Sequence, residues 1–379
     1  MYKNREISVF LQDFSLIWLI LLPLKNAPFS YHHFTQMNRP KEITIYDIAK
    51  ELDLSPATIS RGLKDHPGIR KDTKKRILNA AKSMGYQQNT FASNLRRKHS
   101  KTIGVIVPRL NSYFVSTVIA GMEKVANQAG YNLIISQSLE SVKKESAAVS
   151  TLFDSRVDGV MISLASDAKD TDHFDTFFRK QIPLLFFDRV IKLPNCTCVV
   201  IDNERAGYEA TRHLLDNGCK RIAHVGGSMD RNVYIDRLIG YKKALQEKDI
   251  PFDPKLVFVN NMMSDKESTT SARQILEITP AIDGVFASND IAAVGCIREF
   301  KKAGKQIPRD IAVVGFNDDP IALVVEPNLT TIRYPGEEMG EVAASTLINR
   351  LTNHSSRNLN TIVLHHELIV RQSSLKNKA

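Results

Sequence analysis

The chain has 379 residues, 43% of them hydrophobic, and a formal net charge of +10 at pH 7. This length allows two or three globular domains of ordinary apolar content. The four cysteines lack the spacing of a disulfide framework, and the C-x-C pair Cys196 and Cys198 lacks the second pair that a zinc site needs. We therefore expect reduced thiols in a cytosolic protein, without a metal or another cofactor.

The positive charge lies mainly in one segment near the N-terminus. Residues 39–101 hold 15 lysines and arginines against six acidic residues, and the remaining 316 residues are close to neutral. A small basic module beside a neutral body is typical of nucleic-acid-binding proteins. A basic surface that only contacts solvent would give the same composition, so further signals are needed.

Residues 1–36 lack the patterning of the rest of the chain. The run FSLIWLILLPL at 14–24 is too short to span a bilayer but has the length of a signal-peptide core. No A-x-A-like cleavage site follows it, and Met37 stands just before the patterned sequence begins. We expect translation to start at Met37, which makes residues 1–36 a non-native upstream extension.

Apolar residues at three- and four-residue steps predict three short helices between residues 42 and 86. Ser55 is placed to cap the second helix, and Pro56 occupies its first position, where the missing N–H costs nothing. The third helix is expected from about Asp72 to Met84, with Gly85 just after its end. Such a unit suits a small independent headpiece.

Residues 87–100, QQNTFASNLRRKHS, form a polar and basic linker with a few apolar residues. Asn89 is placed to cap a single short helix that carries this apolar stripe. Alone, such a helix is marginal in water because nucleation is unfavourable and few residues propagate it. We expect it to fold only when something packs against it.

From Thr102 onward, short apolar runs alternate with amphipathic helices, which predicts βαβ units, an α/β fold and parallel sheets. Such runs occupy two stretches, near 102–200 and 220–330, so we expect two similar open-sheet lobes. Because ligands bind beyond the carboxyl ends of parallel strands, two lobes predict a ligand-binding cleft between these edges. The strand runs are TIGVIVP, YNLIISQS, DGVMIS, PLLFFD, RIAHVGG, LVFVN, GVFASND and IAVVGFND.

The first two helices and their tight turn predict a helix-turn-helix, whose second helix lies in a DNA major groove and needs slim outward residues. Arg61 can donate two hydrogen bonds to guanine, and Ala57 can contact a thymine methyl. The alternative is any small helical bundle. The predicted DNA-binding set of the headpiece, including phosphate contacts, is Thr44, Tyr46, Ser55, Pro56, Ala57, Ser60, Arg61 and Lys64.

The segment 43–89, which begins ITIYDIAKELDLSPATISRGL, resembles the headpiece of the lactose/galactose-repressor family of bacterial transcription regulators. The likeness continues through DGVMIS, RIAHVGG, SNDIAAVG, VVGFND and PNLTTIRYP to about residue 374. It implies a headpiece (42–86), a hinge (87–100) and a two-lobed core of the periplasmic sugar-binding type (101–374) that binds the effector and dimerises. It further implies a homodimer on double-stranded operator DNA whose affinity is controlled by a small molecule, expected to be a carbohydrate.

The resemblance also implies a hinge helix at the dimer interface, formed by the segment from Asn89 to Arg97. This chain departs from the family pattern at two positions. Gln88 replaces the usual proline before the hinge, and Arg70 replaces a serine cap, which leaves Asp72 or Thr73 to cap the third helix later. The hinge residues added to the DNA-binding set are Asn89, Ala92 and Leu95, the last as a wedge in the minor groove.

The matching motifs also place a ring of effector-binding residues at the cleft. Carboxylates and guanidinium groups there engage paired hydroxyls, and aromatic faces cover the apolar C–H surface of a sugar. Each residue also has a structural alternative: Phe316 can belong to the core, a carboxylate at a strand end can cap the next helix, and Arg237 can join the lobes by a salt bridge. The candidate set is Tyr113, Phe114, Asp188, Arg189, Arg231, Arg237, Asn289, Asp290 and Phe316.

Two other classes of protein are alternatives to a regulator. An enzyme is disfavoured because no G-x-G-x-x-G turn, Walker lysine or nucleophile–base set stands out. His224 lies within a strand pattern and is expected to be a core histidine with satisfied ring nitrogens. A solute-binding protein of a transport system would use the same lobes and cleft but has no use for residues 44–97. We therefore expect a homodimeric, cytoplasmic regulator without catalytic activity.

Overall fold

A computed structural model describes residues 43–86, 99–191, 196–261, 263–352 and 360–376. The chain divides into two compact units, Met1–Asn89 and Thr90–Ala379, and each is described by itself. Among the described residues, no helix is both long enough and apolar enough to cross a membrane.

The N-terminal unit contains the three predicted helices. They are α1 (Ile45–Leu52), α2 (Pro56–Leu63) and α3 (Lys71–Ser83). The chain turns between α1 and α2 at Asp53, whose backbone is left-handed with φ 51°, a conformation that aspartate tolerates better than most residues. Ser55 caps α2 as predicted, because its Oγ accepts a hydrogen bond from the Thr58 N–H at 3.1 Å.

Helix α3 begins earlier than the sequence led us to expect. Lys71 is its first residue, and Arg70 takes the cap position without a side-chain cap hydrogen bond, so the expected cap at Asp72 or Thr73 is wrong. Asp72 instead lies in the first turn, where its negative charge favours the positive end of the helix dipole. Gly85 follows the helix with φ 70°, which confirms its predicted position.

The headpiece has a small core of its own. One isoleucine from each helix, Ile48, Ile59 and Ile77, is fully buried, and the three belong to one cluster. This cluster fixes the orientation of α2 and therefore the direction of its outward side chains.

The larger unit consists of strands that alternate with helices. The strands are β1 (Thr102–Val107), β2 (Asn132–Gln137), β3 (Gly159–Ile162), β4 (Leu184–Phe187), β5 (Thr197–Ile201), β6 (Ile222–Gly226), β7 (Val257–Val259), β8 (Gly284–Ala287), β9 (Ala312–Asn317), β10 (Thr330–Arg333), β11 (Thr361–Leu364) and β12 (Glu367–Ile369). The helices are α4 (Tyr113–Gln128), α5 (Val142–Asp154), α6 (Asp175–Arg179), α7 (Asn203–Asp216), α8 (Asn232–Gln246), α9 (Asp265–Glu277), α10 (Asp290–Lys302), α11 (Ile321–Val324) and α12 (Gly336–Thr352).

These strands form two sheets, each six-stranded in the described part of the chain. The first sheet has the order β11-β5-β4-β3-β1-β2, and the second has the order β12-β10-β9-β8-β6-β7. Neighbouring strands are parallel except for β10 and β12, which are antiparallel. The predicted α/β fold with two parallel-sheet lobes is confirmed, and β1–β4 and β6–β9 lie in the eight runs predicted as strands.

The lobes are not simply successive segments of the chain. After β10, α12 packs on α4 of the first lobe and β11 pairs with β5 in the first sheet. β12 then returns to the second sheet beside β10. The chain therefore passes between the lobes three times, and the expectation of lobes from the runs near 102–200 and 220–330 alone is incomplete.

Glycines allow a pair of helices in each lobe, α4 with α12 and α7 with α8, to approach closely. A Cβ added at Gly240 of α8 would meet the backbone carbonyl oxygen of Glu204 in α7. We expect Gly240→Ala to destabilise the fold by about 1–3 kcal/mol through overpacking, although alanine gains ~1 kcal/mol in helix propensity.

Thermal unfolding of the full chain checks this expectation. Gly130→Ala is the control, because nothing lies within 4 Å of an added Cβ there and only the left-handed φ of 71° is strained, at roughly 1 kcal/mol. An unchanged or higher Tm for Gly240→Ala would contradict the close helix contact.

His224 on β6 is fully buried between Tyr241 and Phe286, with ring centroids 5.4 and 4.9 Å away. The core position is confirmed. Among the described residues neither ring nitrogen has a hydrogen bond of good geometry, and the polar interaction that remains is a weak one with the Phe286 backbone, so the expected full satisfaction is wrong. Burial lowers the pKa of His224 to about 3.

The low pKa of His224 predicts a pH-dependent stability. Between its ordinary pKa of about 6.5 and about pH 3, His224 is protonated in the unfolded chain but neutral in the folded chain. The free energy of unfolding should therefore fall with decreasing pH in this window by up to about 1.4 kcal/mol per pH unit from this group. Denaturant titrations should show a shallower decline in His224→Leu, whereas parallel curves for both proteins would refute the buried neutral histidine.

Candidate functional site

The outward side of α2 carries the residues predicted to read bases. Ala57 and Arg61 are exposed, and Pro56 is half-buried at the first helical position. Ile59, on the opposite side, faces the headpiece core. Short side chains beside one long guanidinium group leave room for the floor and edges of a major groove.

The predicted phosphate contacts lie mostly at exposed helix ends. Thr44 precedes α1, and its hydroxyl donates to Asp47 Oδ2 at 2.6 Å. Tyr46 is 67% exposed, Lys64 at the end of α2 is exposed, and Ser60 is half-buried. The three hinge residues Asn89, Ala92 and Leu95 lie outside the described residues, so their assigned roles stay predictions.

The two lobes of the larger unit meet at a buried network around Asp188. This residue follows β4 with a left-handed backbone at φ 57°. Its Oδ1 accepts a hydrogen bond from the Tyr334 hydroxyl at 2.8 Å, and its Oδ2 accepts one from Ser163 Oγ at 3.2 Å. Burial and the adjacent Asp188 charge raise the pKa of Tyr334 far above its usual value, so the phenol remains a donor.

Arg237 approaches this network from α8 in the second lobe. Its Nε donates to Asn203 Oδ1 and its Nη1 donates to the Ser288 carbonyl, both at 2.9 Å. The guanidinium carbon lies 3.5 Å from the centroid of the Phe316 ring, which is a close cation–π contact. Among the described residues no carboxylate is within salt-bridge distance, so the alternative of an interlobe ion pair finds no support there.

Aromatic rings cover one side of the same region. Phe114 stacks on Tyr334 with centroids 4.2 Å apart, and Phe316 meets Tyr334 edge-on at 5.9 Å. Phe316 is fully buried, as its structural alternative anticipated. A cavity of about 460 Å³ opens beside the stack and is lined in part by Tyr113, Phe114, Tyr334 and Asp318. This volume is in the range of sites for small molecules. Of the candidate effector set, the lining includes Tyr113 and Phe114 but not Asp188 or the three candidate arginines.

Hydrogen bonds also join the start of α8 to the first lobe. Arg189, after β4, forms an ion pair with Glu140 at 2.6 Å and donates to the Tyr234 hydroxyl at 3.4 Å. Arg231 donates to the Ala168 carbonyl. The lobes are therefore linked across the cleft through side chains that the sequence assigned to an effector.

Asn289 and Asp290 are engaged at the start of α10. Asn289 caps this helix, since its Oδ1 accepts from the Ala292 N–H at 2.7 Å. Asp290 is fully buried, and its two oxygens accept from the Thr331 hydroxyl at 2.6 Å and the Asp319 N–H at 2.7 Å. Burial raises the pKa of Asp290 to about 7. Both side chains thus serve the fold in this structure, but the cap is the amide of Asn289, and the carboxylate of Asp290 does not cap the helix.

The structure adds residues to the site that the sequence analysis did not assign. Tyr334, Asn203, Ser163 and Glu140 all contact predicted site residues. A signal existed for Tyr334, because it stands in the quoted motif PNLTTIRYP directly after a strand end. In the described ranges, no group of three or more His, Cys, Asp or Glu side chains is arranged to hold a metal ion, and all four cysteines are free and buried.

Two family models match the chain. Residues 44–89 match bacterial regulatory proteins of the lacI family, and residues 211–374 match a periplasmic binding protein-like domain. The HTH-type transcriptional regulator RegA of Clostridium saccharobutylicum is 34% identical over 335 residues, which cover 88% of this chain and 99% of RegA.

Solved structures give the same relationship. A LacI family transcriptional regulator from Enterococcus faecium with bound ribose is 28% identical, with a TM-score of 0.66 over 73% of this chain and all of that one. The Lac repressor dimer bound to operator and the anti-inducer ONPF is 24% identical, with a TM-score of 0.78. The match covers 88% of this chain and 100% of the Lac repressor chain, and it shows a shared fold. These relatives confirm the regulator interpretation over a transport protein. The chain therefore belongs to the lacI family of bacterial regulatory proteins.

Proposed function

We propose that the chain is a sequence-specific, DNA-binding transcriptional repressor that works as a homodimer in the cytoplasm. The observation that carries this proposal is the outward side of α2, where slim residues and Arg61 stand exposed on a helix fixed by the headpiece core. Arg61 donates to guanine O6 and N7, and Ala57 contacts a thymine methyl. Each headpiece of the dimer occupies one half-site of a near-palindromic operator.

The larger unit senses a small effector, a sugar or sugar derivative, between its lobes. Asp188 and Arg237 offer charged partners for hydroxyls, and the rings of Phe114, Tyr334 and Phe316 offer apolar faces. The Enterococcus relative with bound ribose supports this ligand class. Because a ligand shifts a conformational equilibrium only through different affinities for the two states, the effector must change the interlobe contacts to act on DNA binding.

This proposal assigns no catalytic role to the cleft. Its groups bind and orient a ligand, and the named relatives are regulators rather than enzymes.

Gel retardation of the full chain tests the proposal. Promoter DNA containing the operator should be retained at moderate salt in the presence of excess random DNA, and sedimentation should show a dimer. No retention even at low salt, where phosphate contacts are strongest, would overturn it.

A further inference from the structure

Two buried guanidinium groups in the cleft have no ion-pair partner. Arg231 and Arg237 are each 3% exposed, and within the described ranges no carboxylate lies at salt-bridge distance from either. The third arginine of the cleft, Arg189, is paired with Glu140. Burying a charge without a counter-charge costs free energy. The cleft therefore contains two buried positive charges that the described residues do not neutralise.

Arg231 shows this most clearly. One terminal nitrogen donates to the Ala168 carbonyl, but its buried Nε–H has no acceptor among the described residues. Burial lowers the pKa of Arg231, and the charge of Arg189 lowers it further. The charges of three acidic residues raise the pKa of Arg231 from a distance, namely Asp230, Glu145 and Asp167. Each of the three accepts a hydrogen bond from another group, at 2.6 to 3.3 Å.

The arginines are also arranged to share one ligand. Arg231 is the cap residue of α8, and Tyr234 and Arg237, three residues apart within the helix, are neighbours on its surface. The guanidinium carbons of Arg189 and Arg237 lie 5.7 and 5.8 Å from the centroid of the Tyr234 ring. The charge of Arg189 lowers the pKa of both Arg231 and Arg237, so Arg189 repels each of them, and an anion bound between them would offset the repulsion.

We propose that the effector carries an anionic group, a carboxylate or a phosphate, and that Arg231 together with Arg189 selects it. The proposal rests on the proposed function, since it names the ligand class of the same cleft. The hydroxyl groups of the ligand bind near Asp188 and Arg237, and its anion takes the unsatisfied donor of Arg231 in a charge-assisted hydrogen bond. A neutral sugar leaves that donor and its charge uncompensated.

Calorimetry on the full chain tests this with matched probes: glucose, glucuronate and glucose 6-phosphate; ribose and ribose 5-phosphate; and inorganic phosphate. We expect at least one anionic sugar to bind ~10-fold or more tightly than its neutral counterpart. The sugar acid and the sugar phosphates distinguish the two possible anions. A neutral sugar that binds as tightly as its acidic counterparts, or no binding by any anionic sugar, would overturn the proposal.

The variant Arg231→Gln separates ligand selection from a purely structural role. It should lower affinity for the anionic sugar ~10-fold more than affinity for the neutral sugar, whereas equal losses for both would overturn the assignment. Arg205→Gln is the control, because Arg205 lies exposed on α7 outside the cleft, with its side chain 59% exposed. Retardation of operator DNA, measured in parallel, tests the regulator function independently of the anion.

Discussion

Arg61→Ala is expected to lower the affinity for operator DNA about 5- to 150-fold, which corresponds to about 1–3 kcal/mol. The physical reason is the loss of a bidentate pair of hydrogen bonds from the guanidinium group to one guanine. The headpiece should stay folded, because Arg61 is exposed and its neighbour Ile59 supplies the core contact. Retardation against operators randomised at single positions should show relaxed preference at one base pair per half-site.

Arg76→Ala is the matched control, since Arg76 is exposed on α3 and the substitution removes the same charge. Any loss of affinity there should be shared by all DNA sequences and should diminish with salt, as expected for a phosphate contact. If Arg61→Ala weakened every sequence equally, Arg61 would be a phosphate contact and the groove-reading role of α2 would be wrong.

Phe316→Ala should destabilise the larger unit by about 3–5 kcal/mol, the range for truncation of a fully buried phenylalanine. Phe316 is 0% exposed and contacts both Arg237 and Tyr334, so the cavity would remove packing and the cation–π contact together. Chemical denaturation of the full chain gives the free energy of unfolding.

Two further variants separate packing from ligand binding. Phe300→Ala removes an equally buried ring from another hydrophobic cluster, and a similar loss of stability is expected. Phe316→Leu keeps much of the volume and should remain folded while it weakens effector binding through the loss of the ring under Arg237. A free energy of unfolding for Phe316→Ala within ~0.5 kcal/mol of the parent chain would contradict the buried position.

The sequence predicts the central strands well for a physical reason. Interior strands of a parallel sheet are buried on both faces, and they therefore appear as continuous apolar runs such as VMI in β3 and LLFF in β4. Position in the sheet does not decide the outcome alone, because the edge strands β2 and β7 were predicted and the interior strands β5 and β10 were not. The edge strands β11 and β12 include exposed positions, with Val363 57% exposed, and the sequence pattern did not single them out.

For the candidate site, the sequence predicts features that depend on local position but not contacts between distant parts of the chain. The positions of Asp188 and Asn289 at strand ends were predictable, because strand ends meet at one edge of a parallel sheet. Their role in effector binding stays a prediction, and in this structure Asn289 caps α10. The place of Tyr334 after a strand end could be read in the same way, but its hydrogen bond to Asp188 could not, because that bond joins residues 146 positions apart and depends on where the chain crosses between lobes. Asp290 also lies at a strand end, and this position suggested a role in effector binding. In the structure its carboxylate is buried and hydrogen-bonded to Thr331 and Asp319.

The return of β11 to the first sheet and of β12 to the second has a consequence for synthesis on the ribosome. Three helices (α4, α5 and α6) and five strands (β1–β5) of the first lobe emerge early, yet α12 and β11 emerge only near the end of translation. Neither lobe can complete its sheet before the C-terminal part of the chain is synthesised. A chain that ends at about residue 335 would expose open sheet edges, which promote aggregation. Premature stop codons late in the reading frame should therefore be as damaging as early ones.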